Sequence, residues 1–328
     1  MSLTQMKVFN EYIMPATIET LGQMVDKFNA ASRGAIRLTM TGFTGDFLQE
    51  SFFAAVHSAQ RRVDRYATNA TASVTDLSEL KRSAVKVAGG FGPIRYEPSQ
   101  LTWLNRPTAQ GIEVASRNFA EAMLKDQLNT AIAALVAAIE NQSTATYNGL
   151  TPSPNLGISY ATINQSHAKF GDASGSLVAE VMTGSVFHKL IGQNLANAAQ
   201  LFNAGNVTVV DVLNKSVIVT DAPALYLTAS PVSKEKVLSL VDGAAVVFDG
   251  GDVISNIETS NGAERIVTTM QVDYTFGLGL KGYTWDETSG GKSPTDAELA
   301  TGSNWDKVCT DIKHSAGVLA VGAANIGN

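Results

Sequence analysis

The sequence predicts an α+β protein. Three observations carry that reading: an alanine-rich helical pattern of about 35 residues starting at Pro107, a section of short alternating strands and helices from about Ser176, and long β-type alternation after Gly262. Of 328 residues, 45% are hydrophobic, enough for a sizeable core. Only 16% are charged, below the usual ~25%. Ala, Gly, Thr, Ser and Asn fill the difference, which suits a surface spent on contacts.

Residues 17–32 read as an amphipathic helix. Ile18, Leu21, Val25 and Phe28 recur at helical spacing, and Thr17 can cap the first turn. Ile36 to Met40 alternates as a short strand. A second helix is expected from about Asp46 to Arg65, with Phe47, Phe52, Phe53 and Val56 on its apolar side. Arg61, Arg62 and Arg65 would complement the dipole at its end.

Residues 67–104 contain little that could form a core. Their charges are sorted: Asp76 and Glu79 come first, then Lys81, Arg82, Lys86 and Arg95, with no acid until Glu97. Gly89-Gly90 and Gly92-Pro93 form a turn cluster. A polar excursion this long is uncommon inside a compact domain unless it is functional. The expectation is a protruding two-stranded arm that lies on a neighbouring subunit.

Pro107 suits the first turn of a helix that runs to about Asn141. Ile112, Phe119, Met123, Leu128, Ile132, Leu135 and Ile139 keep to one broad face. Such a helix is about 50 Å long and can act as a strut. Asn148-Gly149, Pro152 and Pro154 end the segment. Next come a strand from Leu177 to Met182 and a helix from Ser185 to Phe202, with Val186, Leu190, Leu195 and Ala199 facing inward. Strands at 207–210 and 217–220, a short helix from Ser233 to Leu240 and a strand from Ala244 to Phe248 complete the α/β section. Arg265 to Gly282 reads as one extended strand, continued by Tyr283 and Trp285. Pro294-Thr295 opens a turn, and Gly317 to Val321 is a closing strand after Trp305.

The net charge is −6. Residues 1–100 carry 11 basic and 9 acidic side chains, and the remainder 13 and 21. No basic stripe dominates, so a free-standing nucleic-acid binder is excluded; near nucleic acid, this chain would enclose it rather than grip it. Cys309 is the single cysteine, which rules out an intrachain disulfide and a thiolate zinc site. The start lacks a signal peptide's apolar core, and no run approaches the ~18 apolar residues of a membrane span. The expectation is a soluble protein made in a reducing cytoplasm.

The screen for chemistry is negative. Gly277 to Gly282 matches G-x-G-x-x-G, but the β-type sequence Tyr283-Thr-Trp follows where a dinucleotide fold needs a helix. His57, His167, His188 and His314 have no ligand partner at i+3 or i+4. Asp249-Gly-Gly-Asp252 fits no complete oxygen-ligand loop, and Cys309 with His314 five residues on is no catalytic geometry by itself. There is no Walker loop and no nucleophile elbow. The reading is a non-enzyme with no cofactor and no metal.

The order of parts resembles the major capsid proteins of tailed double-stranded-DNA bacteriophages. An N-terminal arm and short helix precede a charge-sorted hairpin, a spine helix, an α/β insert and a long return strand. Val181-Met-Thr-Gly-Ser-Val-Phe-His-Lys-Leu190 resembles the strand-into-helix start of the family's axial domain, and Val217-Ile-Val-Thr-Asp-Ala-Pro223 its inner strand and turn. Met270 to Tyr283 resembles the strand returning to the peripheral domain, and Trp305 to Val321 the closing segment. The resemblance implies the tailed-phage major capsid fold: N-terminal arm and helices at 1–66, extended β-hairpin loop at 67–104, peripheral domain with the spine helix at 105–175, axial α/β domain at 176–262, and return strand with closing segment at 263–328.

It further implies a shell subunit that forms pentamers and hexamers in the virion, assembled in the host bacterial cytoplasm. It would enclose double-stranded DNA without sequence-specific binding and work with portal, scaffolding and decoration proteins, with no membrane partner. Lys81, Arg82, Lys86 and Arg95 are the candidate inter-subunit contacts, because residues 242–311 carry 12 acids and only 4 bases. The alternatives are a cargo-holding compartment shell on the same fold, or a nucleotide-dependent α/β enzyme around residues 176–282.

Overall fold

The spine helix is the element around which the chain is arranged. The computed structural model describes residues 3–42, 45–53, 62, 66, 79–96, 108–201, 215–229, 231–261, 264 and 266–325. In chain order these form helix α1 (Leu3–Ala31), strands β1 (Ile36–Gly42), β2 (Phe47–Phe53) and β3 (Glu79–Tyr96), and the spine helix α2 (Thr108–Glu140). Strand β4 (Thr146–Asn148), helix α3 (Tyr160–Ala168), strand β5 (Leu177–Met182) and helix α4 (Gly184–Leu201) follow. Strands β6 (Ser216–Val219), β7 (Tyr226–Leu227), β8 (Lys234–Val241), β9 (Ala245–Asp249), β10 (Ile254–Ser260), β11 (Val267–Leu280) and β12 (Tyr283–Trp285) come next. A one-turn helix α5 (Asp296–Leu299) and strands β13 (Trp305–Lys307) and β14 (Gly317–Ala323) complete the order.

Two six-stranded sheets flank the spine. Sheet A runs β1-β9-β11-β3-β2, with β10 on the far part of β11; sheet B runs β4-β14-β8-β5-β6, with β7 on β8. Near its C-terminal end α2 is enclosed on all sides: Ala131, Ile132 and every residue from Ala134 to Ile139 are buried. That explains its alanine content, because two sheets can approach one helix closely only where side chains are small, and alanine carries no helix penalty. The sequence boundaries at Pro107 and Asn141 lie within one residue of the observed helix.

Two expected elements change type, and a third is separated from the strand it was expected to continue. Residues 47–53 form strand β2 rather than the start of a helix, and pair antiparallel with β3 in register Gln49↔Ser83. Residues 54–61 and 63–65 of that expected helix lie outside the described residues. Residues 234–241 form β8, the middle of sheet B between β5 and β14, rather than a short helix. Seven of its eight residues are buried. Glu235 and Lys236 look like helix surface in sequence but are buried against partners: Glu235 meets Lys189 at 2.8 Å, and Lys236 meets Glu140 at 2.7 Å. Tyr283 and Trp285 do not continue β11; the chain turns at Gly282, where φ is +79°, and β12 pairs with β13. A Cβ at Gly282 would stand 2.8 Å from Ser315 Cα, so both the turn and the contact need glycine.

Helix α1 is longer than the spacing from Thr17 implies. It runs from Leu3 through Pro15, and Thr17 Oγ1 donates back to Ile13 O at 2.7 Å instead of capping. Ile13 and Met14 extend the buried face by packing on Met270 and Val272 of β11. The 207–210 strand and the inward-facing side chains of Leu195 and Ala199 lie outside the described residues. Val186 and Leu190 of α4 are buried as expected. Sheet membership crosses the expected limits at 176 and 262: β9 and β10 belong to sheet A, and β4 and β14 to sheet B.

Candidate assembly surfaces

The expected arm takes a different form. The described part of 67–104 is one 18-residue strand, β3, paired within its own chain to β2 and β11. The described antiparallel partners of β3 are thus β2 and β11, and the chain does not fold into a hairpin at the glycines. The Gly92-Pro93 cluster sits instead at a break in the β3–β11 register, between Ile94↔Met270 and Phe91↔Val272, with Gly92 at φ +100°. This is bulge geometry rather than a turn. Residues 67–78 and 97–104 lie outside the described residues.

The four candidate contact cations all stand on β3. Lys81 Nζ lies 3.0 Å from Glu287 Oε1. The same oxygen accepts from Gln49 Nε2 at 3.0 Å and from Ser83 Oγ at 2.8 Å. These donors, Lys81 first and Ser83 next, hold the Glu287 carboxyl below the usual carboxylate range. Lys86 Nζ lies 3.5 Å from Asp252 Oδ2, and Asp252 also accepts from the Thr275 hydroxyl. Arg82 reaches over Gly279, whose added Cβ would stand 3.1 Å from Arg82 Nη2 and 3.2 Å from Ala84 Cβ. Arg95 is exposed, opposite Thr269. So Lys81 and Lys86 already have acids in their own chain.

The Glu287 cluster gives a pH prediction. A depressed folded-state pKa supplies stability above the ordinary carboxylate range and loses it as pH falls through the depressed value. Glu287→Gln should cost ~0–1 kcal/mol at neutral pH, since the cluster is partly exposed. The gap between the two proteins should persist down to about pH 4.5 and shrink below it. Urea denaturation from pH 7 to pH 3 checks this, and a gap that widens on acidification would contradict it.

Gly277 and Gly279 sit inside β11, with no helix opening after them. Cys309 is buried, and burial pushes its thiol up, whereas a reactive thiolate needs the opposite shift. His188 and His314 are exposed. Asp249 caps its own turn by accepting from Gly251 N at 3.0 Å, and Asp252 is taken by Thr275 and Lys86. Among the described residues, no three His, Cys, Asp or Glu side chains converge as metal ligands.

One interior cluster has no counterpart in the sequence reading. Glu180 on β5 is fully buried, and neither carboxylate oxygen accepts a hydrogen bond. Its Oε1 stands 3.3 Å from His167 Nε2, which itself lies 2.9 Å from Ser239 Oγ. Lys215 is buried beside them, donating to Leu177 O at 2.9 Å and Ser174 O at 3.2 Å. Burial pushes the Lys215 ammonium down, and Glu180 opposes that shift. The same carboxylate adds to burial in pushing up the Tyr160 phenol. His167, Glu180, Lys215 and Ser239 come from four segments, so spacing along the chain could not bring them together.

The model for the Gp13-like family, described as major capsid protein 13-like, matches residues 5–319. The chain belongs to that family. Solved structures agree in fold. The capsid of cyanophage Pam1 is 12% identical, with 89% of each chain covered and a TM-score of 0.55. The acid-stable capsid of Helicobacter pylori bacteriophage KHP30 is 10% identical, with 88% of each chain covered and a TM-score of 0.52. No curated protein matches the sequence. The chain is thus a structural subunit of a phage head shell that associates with its own copies in the virion, and not an enzyme. For a capsid subunit, the sites that matter are surfaces.

Proposed function

We propose that this chain builds a closed head shell around a double-stranded-DNA genome as pentamers and hexamers of one subunit. The family match over residues 5–319 carries the reading. Heterologous contacts that close give rings, and curvature between rings closes a shell. The acidic balance and the lack of a basic stripe favour enclosure without a grip on phosphates, which would resist packaging and release. Assembly takes place in the host bacterial cytoplasm, with portal, scaffolding and decoration proteins as partners. Sheet B with α4 serves as the axial domain at the ring centre. Sheet A with the spine serves as the peripheral domain.

Lys81, Arg82, Lys86 and Arg95 are proposed as contacts to a neighbouring copy. The own-chain pairs of Lys81 and Lys86 are partly exposed, so exchanging them for a neighbour's acids costs little. Expression of the full chain, electron microscopy of the product and a nuclease-protection assay test the function. Empty or enzyme-filled particles would favour a cargo compartment, and a small soluble oligomer would overturn the shell reading.

A further inference from the structure

We infer that the outer edge of β10 pairs antiparallel with β10 of a second copy, across a two-fold axis through Ile257. Strand β10 pairs with β11 over its whole length, from Ile254↔Asp273 to Ser260↔Val267. Among the described residues, no strand pairs with its other edge. Six of its seven residues are exposed; only Ile257 is partly covered, and Ile254 is 66% exposed. A bare edge of this length is a template for pairing, and monomeric proteins guard such edges with lysine, proline or a bulge. The stretch Ile254-Ser-Asn-Ile-Glu-Thr-Ser260 has no lysine and no proline, its register with β11 is unbroken, and Glu258 is its single charge.

The occupant follows from the strand itself. Antiparallel pairing of two identical strands about Ile257 sets Asn256 opposite Glu258 and Ser255 opposite Thr259, twice each. An amide faces a carboxylate, hydroxyl faces hydroxyl, and no like charges meet. Ile257 then meets its own copy. That contact prolongs an existing row, since Ile257 is opposite Met270 on β11, and Met270 is opposite Ile94, itself 44% exposed, on β3.

Position within the subunit supports the same partner. The β10–β11 end packs on Ala115 and Phe119, near the start of α2. Sheet B is held at the other end, where Glu140 pairs with Lys236. These points lie about 30 Å apart along the helix. If sheet B gathers at a ring centre, β10 lies towards the outer rim, where one ring meets the next across two-fold contacts. This step rests on the shell reading above.

The test uses full-length chain assembled into particles. Ile257→Cys places a thiol opposite itself, within disulfide reach for an antiparallel pair. Oxidised Ile257→Cys particles should run mostly as covalent dimers on a non-reducing gel, and wild type, with only buried Cys309, should not. Asn256→Glu sets Glu against Glu258 twice and should raise the concentration needed for assembly about tenfold. Asn256→Glu with Glu258→Lys should restore assembly, with circular dichroism confirming folded subunits in each case. Normal particles with no dimer band, or an Asn256→Glu variant that assembles like wild type, would overturn the inference and leave the shell reading intact. Loss in Asn256→Glu without rescue would mean that another segment covers the edge, which also overturns it. Absence of particles from wild type is the separate outcome that strikes the shell reading itself.

Discussion

A Leu128→Pro subunit is expected to assemble no particles and to unfold well below the wild-type temperature. Leu128 lies in the middle of a 33-residue helix with no interior proline, partly buried against the main core. Proline there removes one backbone hydrogen bond and drives its ring into the carbonyl four residues back, at a cost of ~3 kcal/mol or more. The consequence spreads because the two sheets meet through this helix. Its first half carries Phe119 and Met123 against α1 and sheet A, and its last turn ties to sheet B through Glu140. A kink at residue 128 would change the angle between the sheets, and a closed shell tolerates little such change. Leu128→Ala separates the two effects: it trims one side chain and leaves the backbone bond in place. Thermal melting and particle counts should rank wild type, Leu128→Ala and Leu128→Pro in that order. A Leu128→Pro chain that forms normal particles would show that the helix is no strut.

The spine and the closing strand were legible because their signals are local. Helical period, alanine content and the absence of proline fix α2 almost to the residue, and Gly317 to Val321 reads as a buried strand at sight. The failures share a physical cause. Strand β8 reads Lys-Glu-Lys-Val-Leu-Ser-Leu-Val, and its charges suggest solvent; burial is possible only because Lys189, Glu140 and His167 arrive from three helices. Strand β2 has a pattern that both helix and strand can satisfy, and pairing with β3 decides it. The glycines at 89–92 mark a turn by local rules. In the folded chain Gly89 makes room for the Tyr274 ring, since an added Cβ would stand 2.8 Å from it, and Gly92 supplies the bulge. For the candidate surface, the sorted charges of β3 were visible, but their own-chain acids lie about 170–200 residues away and became visible only on folding.

The second large effect is expected at Lys215. Its ammonium is buried, as is the fully enclosed Glu180 carboxylate, which accepts no hydrogen bond. A carboxylate in that position relies on nearby positive charge, and Lys215 is close enough that Glu180 opposes the downward push of burial on its ammonium. Lys215→Met should therefore leave the buried Glu180 with only His167, 3.3 Å away, beside it and cost ~3–5 kcal/mol. Glu180→Met should cost less, because the Lys215 ammonium keeps its bonds to Leu177 O and Ser174 O, and His167 keeps its contact with Ser239. The double variant should recover most of the loss, since it removes two buried charged groups together, and replacing such groups with apolar side chains of similar volume is often neutral or stabilising. Urea denaturation of the unassembled subunit gives all three values. The ordering separates two accounts of the cluster. If Lys215 compensates Glu180, the double variant is more stable than Lys215→Met alone. If Lys215 acts only through its two carbonyl bonds at the start of β6, the second substitution adds its own cost, and the double variant is the least stable of the three.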